Sequence, residues 1–176
     1  MAYVSYSEGF KSGGFIQWGL DTVEDHLVPL NEETAENFEI GLRSMLMDNR
    51  VSLNLTYYSV DYTDLQVSQL VGTVMVQTNA GKAEADGIDL EINAALTENL
   101  TAWLNYSYFD GTYTGIQFTG NEMVTPPKAY TAGMSYVKAL SDGGEMRFRL
   151  DVQHKDEYFQ DPANEPGIVN DLDSII

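Results

Sequence analysis

Apolar and polar residues alternate one for one through most of the chain. Phe38, Ile40 and Leu42 stand against Glu39, Gly41 and Arg43; Val51, Leu53, Leu55 and Tyr57 stand against Ser52, Asn54 and Thr56. Ile88, Leu90, Ile92 and Ala94 then face Asp89, Glu91 and Asn93, and Leu100, Ala102, Leu104, Tyr106 and Tyr108 face Thr101, Asn105 and Ser107, with Trp103 breaking the polar set. Tyr130, Ala132, Met134 and Tyr136 share a face, and Met146, Phe148, Leu150 and Val152 alternate with Arg147, Arg149, Asp151 and Gln153. A period of two belongs to a β-strand with one dry and one wet face. With a first strand at about 2–8 and one long segment at about 73–96 ending in the Ile88 alternation, the pattern predicts seven strands.

Two features of that pattern are unusual for a soluble sheet. Nearly all the strands run to about 10 residues or more, against about 5 to 6 for an ordinary one. The connections also alternate in kind: short at 48–50, 97–99 and 141–144, and longer, polar or Gly- and Pro-rich at 9–33 and 113–128, with a shorter one around 63–73. Short turns on one rim and long loops on the other mark an outer-membrane barrel. The charged members of the polar face, Glu39, Arg43, Asp89, Glu91, Arg147, Arg149 and Asp151, would then line a wet lumen. Alternation alone also fits a soluble extracellular β-sandwich binding module, because periodicity identifies a dry face without saying what covers it. A complete eight-stranded passive barrel would need a closing strand, and none is recognisable after residue 160.

Composition narrows the classes. The 176 residues carry 27 Asp and Glu against nine Lys and Arg, a formal charge of −18, so the basic footprint that nucleic acid requires is absent. With no cysteine, disulfides, thiolate nucleophiles and cysteine zinc sites are excluded. No run approaches the 18 to 20 apolar residues of a spanning helix, a test that a β-barrel escapes. The opening MAYVSYSEGFK has no basic start followed by an apolar run, which suits a cytoplasmic protein or an internal stretch of a larger one.

Chemistry-bearing motifs are few. GxSxG is absent, and NAGKAEA at 79–85 lacks the first Gly and final Ser or Thr of a phosphate loop. Asp89 and Glu91 resemble a carboxylate pair but read better as strand-face acids, so no catalytic residue, cofactor or enzyme activity is expected. Acids concentrate at 21–36 and 156–176 without calcium-loop spacing, and His26 and His154 lie far apart with no HExxH, so no metal site is expected. Phe15, Trp18, Asp21 and His26 on the 10–33 loop are the candidates for ligand contact, since binding residues tend to sit on loops held by a rigid scaffold. Tyr6, Tyr57, Tyr58, Tyr62, Tyr106, Tyr108, Tyr113, Tyr130 and Tyr136 would either belong to an interfacial aromatic girdle or pair across strands.

Seven phrases, in order, resemble the C-terminal barrel of TonB-dependent outer-membrane receptors. They are AYVSYSEGFKSGGF at 2–15, ETAENFEIGLRS at 33–44, VSLNLTYYSVDYTDLQ at 51–66, NAGKAEADGIDLEINAAL at 79–96, LTAWLNYSYFDGTY at 100–113, TPPKAY at 125–130 and RLDVQHKDEYF at 149–159. The resemblance implies an all-β, antiparallel up-and-down transmembrane barrel, of which this chain would supply about seven of 22 strands. It implies location in the outer membrane of a Gram-negative bacterium, amid lipid and lipopolysaccharide. It also implies energy-coupled uptake of a scarce small molecule: a siderophore with its iron, cobalamin, haem or a glycan. The family's N-terminal plug, its segment for the TonB coupling protein and its terminal aromatic strand have no counterpart in these residues. The chain is therefore expected to be a partial barrel that does not function by itself.

Overall fold

The computed structural model describes residues 1–15, 29–71, 74–165, 169–170 and 174–175. Its strands are β1 (Ala2–Lys11), β2 (Gly14–Phe15), β3 (Pro29–Leu30), β4 (Glu33–Leu46), β5 (Val51–Thr63), β6 (Gln66–Val71) and β7 (Val74–Asn79). There follow β8 (Ala83–Ala95), β9 (Leu100–Tyr113), β10 (Lys128–Ala139), β11 (Glu145–Lys155), β12 (Tyr158–Phe159), β13 (Val169–Asn170) and β14 (Ser174–Ile175). One antiparallel sheet runs in the order β1-β4-β5-β8-β9-β10-β11-β14, a meander in which each long strand pairs with the next. Ribbons β2-β3, β6-β7 and β12-β13 stand on the long connections. The described residues contain no helix long and apolar enough to cross a membrane, a test that does not bear on strands.

Seven long strands match the alternation, with two differences. The segment expected at 73–96 is two elements: β7, which folds back on β6 as a hairpin, and β8, which joins the main sheet. An eighth strand also begins where none was recognisable, as Ser174 and Ile175 pair with Gln153 and Val152. Two residues give alternation nothing to show.

The registers sort every side chain of the long strands onto two faces. One line of directly opposed residues runs Leu42, Leu55, Leu90, Tyr106, Tyr130, and the next runs Val4, Ile40, Tyr57, Ile88, Tyr108. This apolar face is bare. Ile40 is 49 % exposed, Phe148 54 % and Leu150 47 %, and no second sheet covers them among the described residues. A soluble sandwich would bury that face, so the sandwich reading fails here. The same positions suit hydrocarbon: a strand of 13 or 14 residues, at about 3.3 Å per residue and tilted about 45°, rises about 30 Å, the thickness of a bilayer core.

The short turns 47–50, 96–99 and 140–144 lie together on one rim. Arg50 ties two of them, its Nε donating to Ala95 O at 3.1 Å and its Nη2 to Leu96 O at 2.5 Å. Met47, Asp48 and Asn49 hold φ of 54°, 54° and 65°, three consecutive left-handed residues without a glycine.

Candidate functional site: the polar face and its outer rim

The opposite face is concave, and a hollow on it is lined by Arg43, Asn54, Asp89, Glu91, Asn105 and Ser107. Two registers build it: Arg43, Asn54, Glu91, Asn105, Thr131, Gln153, and beside it Gly41, Thr56, Asp89, Ser107, Ala129, Lys155. Neutral hydrogen-bonding side chains flank the acids on both sides. Asn54 and Asn93 donate to Glu91 at 3.1 and 2.8 Å, Ser107 donates to Asp89 at 2.7 Å, and Asn37 donates to Glu39 at 2.9 Å. On β11, Arg149 makes a two-pronged pair with Asp151 at 2.7 and 2.9 Å, and Arg147 meets Glu145 at 3.1 Å. All seven charged residues expected on the polar face lie on it.

They do not form one centre. The acids of β8 and the arginines of β11 are three strand spacings apart, about 14 Å. The described residues hold no group of three or more His, Cys, Asp or Glu able to bind a metal. What the face offers is a polar wall, its acids held by neutral donors on β5, β8 and β9 and its β11 arginines paired with Glu145 and Asp151.

Aromatic side chains complete that wall in a way that alternation did not reveal. Tyr58, Tyr62 and Tyr113 sit on the polar face, not among the outward tyrosines, whereas Tyr6, Tyr57, Tyr106, Tyr108, Tyr130 and Tyr136 do face outward. Trp103 is also on the polar face. Each of three inward rings lies across a glycine directly opposite: Tyr3 on Gly41, Tyr58 on Gly87 and Trp103 on Gly133, where a Cβ would overlap the ring. A flat ring replaces the missing side chain of its partner. Arg43 and Arg149 in turn stack over Tyr3 and Trp103, 5.2 and 4.8 Å from the ring centres.

Toward the long-loop rim the outward face changes from apolar to acidic. Glu8, Glu36, Asp61 and Glu84 stand directly opposite one another, and Asp86 and Asp110 form the line below. Above them the loops enclose a small core of Leu65, Ala80, Ala83 and Tyr113, packed by Tyr62, Val67, Phe118 and Met123. Asparagines lock the loops together. Asn79 bridges to Asn31 and Asp64, while Asn121 donates to Pro162 O at 2.9 Å and Asn164 exchanges bonds with Glu122 at 2.7 and 3.1 Å. Phe15, 62 % exposed on β2, belongs to this rim; Trp18, Asp21 and His26 fall outside the described residues.

A meandering sheet with a bare apolar belt, a polar concave face, tight turns on one rim and interlocked loops on the other is the wall of a membrane-spanning β-barrel. The family model "TonB dependent receptor-like, beta-barrel" matches residues 1–174. The chain belongs to this family, whose members are outer-membrane receptors and transporters and not enzymes. It is 23 % identical to the probable TonB-dependent siderophore receptor PiuA of Acinetobacter baumannii, over 92 % of this chain and 23 % of that protein. Among solved structures, the ferric yersiniabactin uptake receptor FyuA from Yersinia pestis superposes with a TM-score of 0.78 at 22 % identity, over 99 % of this chain and 26 % of that one. The siderophore receptor PiuA from Acinetobacter baumannii superposes with a TM-score of 0.71 at 21 % identity, over 99 % and 26 %. The chain thus spans about a quarter of the length of these relatives.

Proposed function

We propose that the chain is one sector of the barrel of an outer-membrane receptor that takes up ferric siderophores, drawing energy from the inner membrane through the TonB coupling protein. The observation that carries the reading is the inverted exposure of the sheet: its large apolar side chains face outward and bare, while its charges line the concave side. Lipid covers the first face, and the outer-leaflet lipopolysaccharide meets the acidic rows above it. The second face lines the lumen of a closed barrel of 22 strands and meets a plug domain there. Closure follows from the medium, because in hydrocarbon each backbone group left unpaired along an edge costs several kcal/mol.

Siderophore iron is favoured over cobalamin, haem or glycans by the relatives themselves, among which are a siderophore receptor and a ferric yersiniabactin uptake receptor. The exposed rim with Phe15 would meet the ligand first. The test is a deletion of the gene in its host. Starved of iron by a chelator, the deletion strain should lose uptake of 55Fe added to the host's own siderophore-bearing medium and regain it with the full-length gene. Undiminished 55Fe uptake, or a loss confined to cobalamin or haem, would sink the proposal.

A further inference from the structure

On the outer rim the loop bases are joined by side-chain amides where the regular ladder stops. Asn79, the last residue of β7, accepts a hydrogen bond from Asn31 N at 2.9 Å through Oδ1, and its Nδ2 donates to Asn31 O at 3.2 Å and Asp64 O at 2.6 Å. It meets both backbone groups of Asn31, as a strand partner would. A carboxamide is one of the few neutral side chains with donors and an acceptor on a single planar group, which is what that exchange requires. Gln66 works beside it: its Nε2 donates to Ser12 O at 3.1 Å and Asn31 O at 2.9 Å, and its backbone N–H donates to Glu33 Oε2 at 2.8 Å.

The next two residues fix a third segment. Ala80 is 1 % exposed and its N–H donates to Leu65 O at 2.7 Å, while Leu65 N–H donates to Gly81 O at 2.9 Å. Gly81, at φ +86°, lies against Gly115, and Thr114 and Gly115 donate to Lys82 O at 2.8 Å each. The stretch Asn79-Ala80-Gly81-Lys82 therefore holds the connection from β1 to β4, the start of the β6-β7 hairpin and the connection from β9 to β10 against one another.

We propose that Asn79 is a positioning residue for ligand capture: its carboxamide fixes the base of the β1-to-β4 loop to the β6-β7 hairpin, so this part of the rim is assembled before ligand arrives. The proposal rests on the uptake reading above. A rim already ordered loses less conformational freedom on binding, and that difference appears as affinity.

The test uses Asn79→Ala and Asn79→Asp in the full-length receptor. Aspartate keeps the acceptor for Asn31 N–H but turns a carboxylate toward two carbonyls, so both variants open the clamp. Gln66→Ala is a second route, removing the bonds to Ser12 and Asn31 without touching Asn79. Amide exchange of the detergent-solubilised receptor is expected to quicken at Asn31 and Leu65 by roughly ten- to a hundredfold, the loss of two or three ordinary hydrogen bonds, with β5 and β8 unchanged. In cells, the concentration of 55Fe-loaded host medium giving half-maximal uptake is expected to rise by a similar factor, with the maximal rate per receptor unchanged. Exchange at Asn31 as slow as in the wild type overturns the proposal. So does a loss confined to the maximal rate, which marks a folding or delivery defect. If the wild-type receptor takes up none of the label, the uptake reading falls and the positioning role with it, a result distinct from a failure of the variants alone.

Discussion

Leu150 offers a direct test of which face meets lipid. It stands midway along β11, with Met146 and Phe148 toward the short-turn rim, Val152 and His154 toward the loops, and Met134 directly opposite on β10. From Leu150 to either end of β11 is five residues, about 17 Å along the strand and about 12 Å along the membrane normal at a 45° tilt, which puts it near the bilayer midplane. Leu150→Arg should therefore cost the full price of a cation there, about 2–4 kcal/mol, or roughly 30- to 700-fold in the folded-to-unfolded ratio. Asn105→Arg is the matched control on the polar face. It forfeits a 3.1 Å bond to Thr131 but places the guanidinium opposite Glu91, so its cost should stay within about 1 kcal/mol. Urea titration of the full-length receptor folded into lipid vesicles, read by the heat-modifiable shift on gels, measures both. Equal costs at the two positions, or a larger one at Asn105, would refute the assignment of faces.

Three further outcomes follow from particular contacts. Gly133→Val drives a branched side chain into the Trp103 ring and should cost about 1–3 kcal/mol in the same titration, while Gly143→Ala, in open space but at φ +83°, should cost only the left-handed penalty of about 1–2 kcal/mol. Met47→Gly relieves one of three consecutive left-handed residues and should stabilise by up to about 1 kcal/mol, with no change in uptake. Arg149→Lys keeps the charge but loses the fork onto Asp151 and the plate over Trp103; because the guanidinium is largely exposed, the urea midpoint should barely move, and a red shift in Trp103 emission would report the lost stacking.

What the chain disclosed in advance, and what it withheld, divides along a physical line. Alternation reports the difference between two solvents, so it located every long strand and put Glu39, Arg43, Asp89, Glu91, Arg147, Arg149 and Asp151 on one face. It could not report who lies beside whom. The inward turn of Tyr58 and Trp103 broke the rule that aromatic means lipid-facing, because each ring lies over a glycine directly opposite, while Tyr62 and Tyr113 turn inward opposite alanines to pack the small core under the loops. Both halves of that code are legible only once the register is known. Periodicity divides the β6-β7 hairpin: β6 falls within the connection expected around 63–73, and β7, which pairs with it from Val71 and Val74 onward, runs on into β8 as one segment. The clamps on the rim were harder still. Asn79, Asn121 and Asn164 bond to segments 15 to 48 positions away in sequence, and a side chain that serves as a substitute backbone has no period by which to be found. Strands obey the solvent and could be read from composition along the chain; the loops obey each other. The rim is accordingly the portion that only the fold could place.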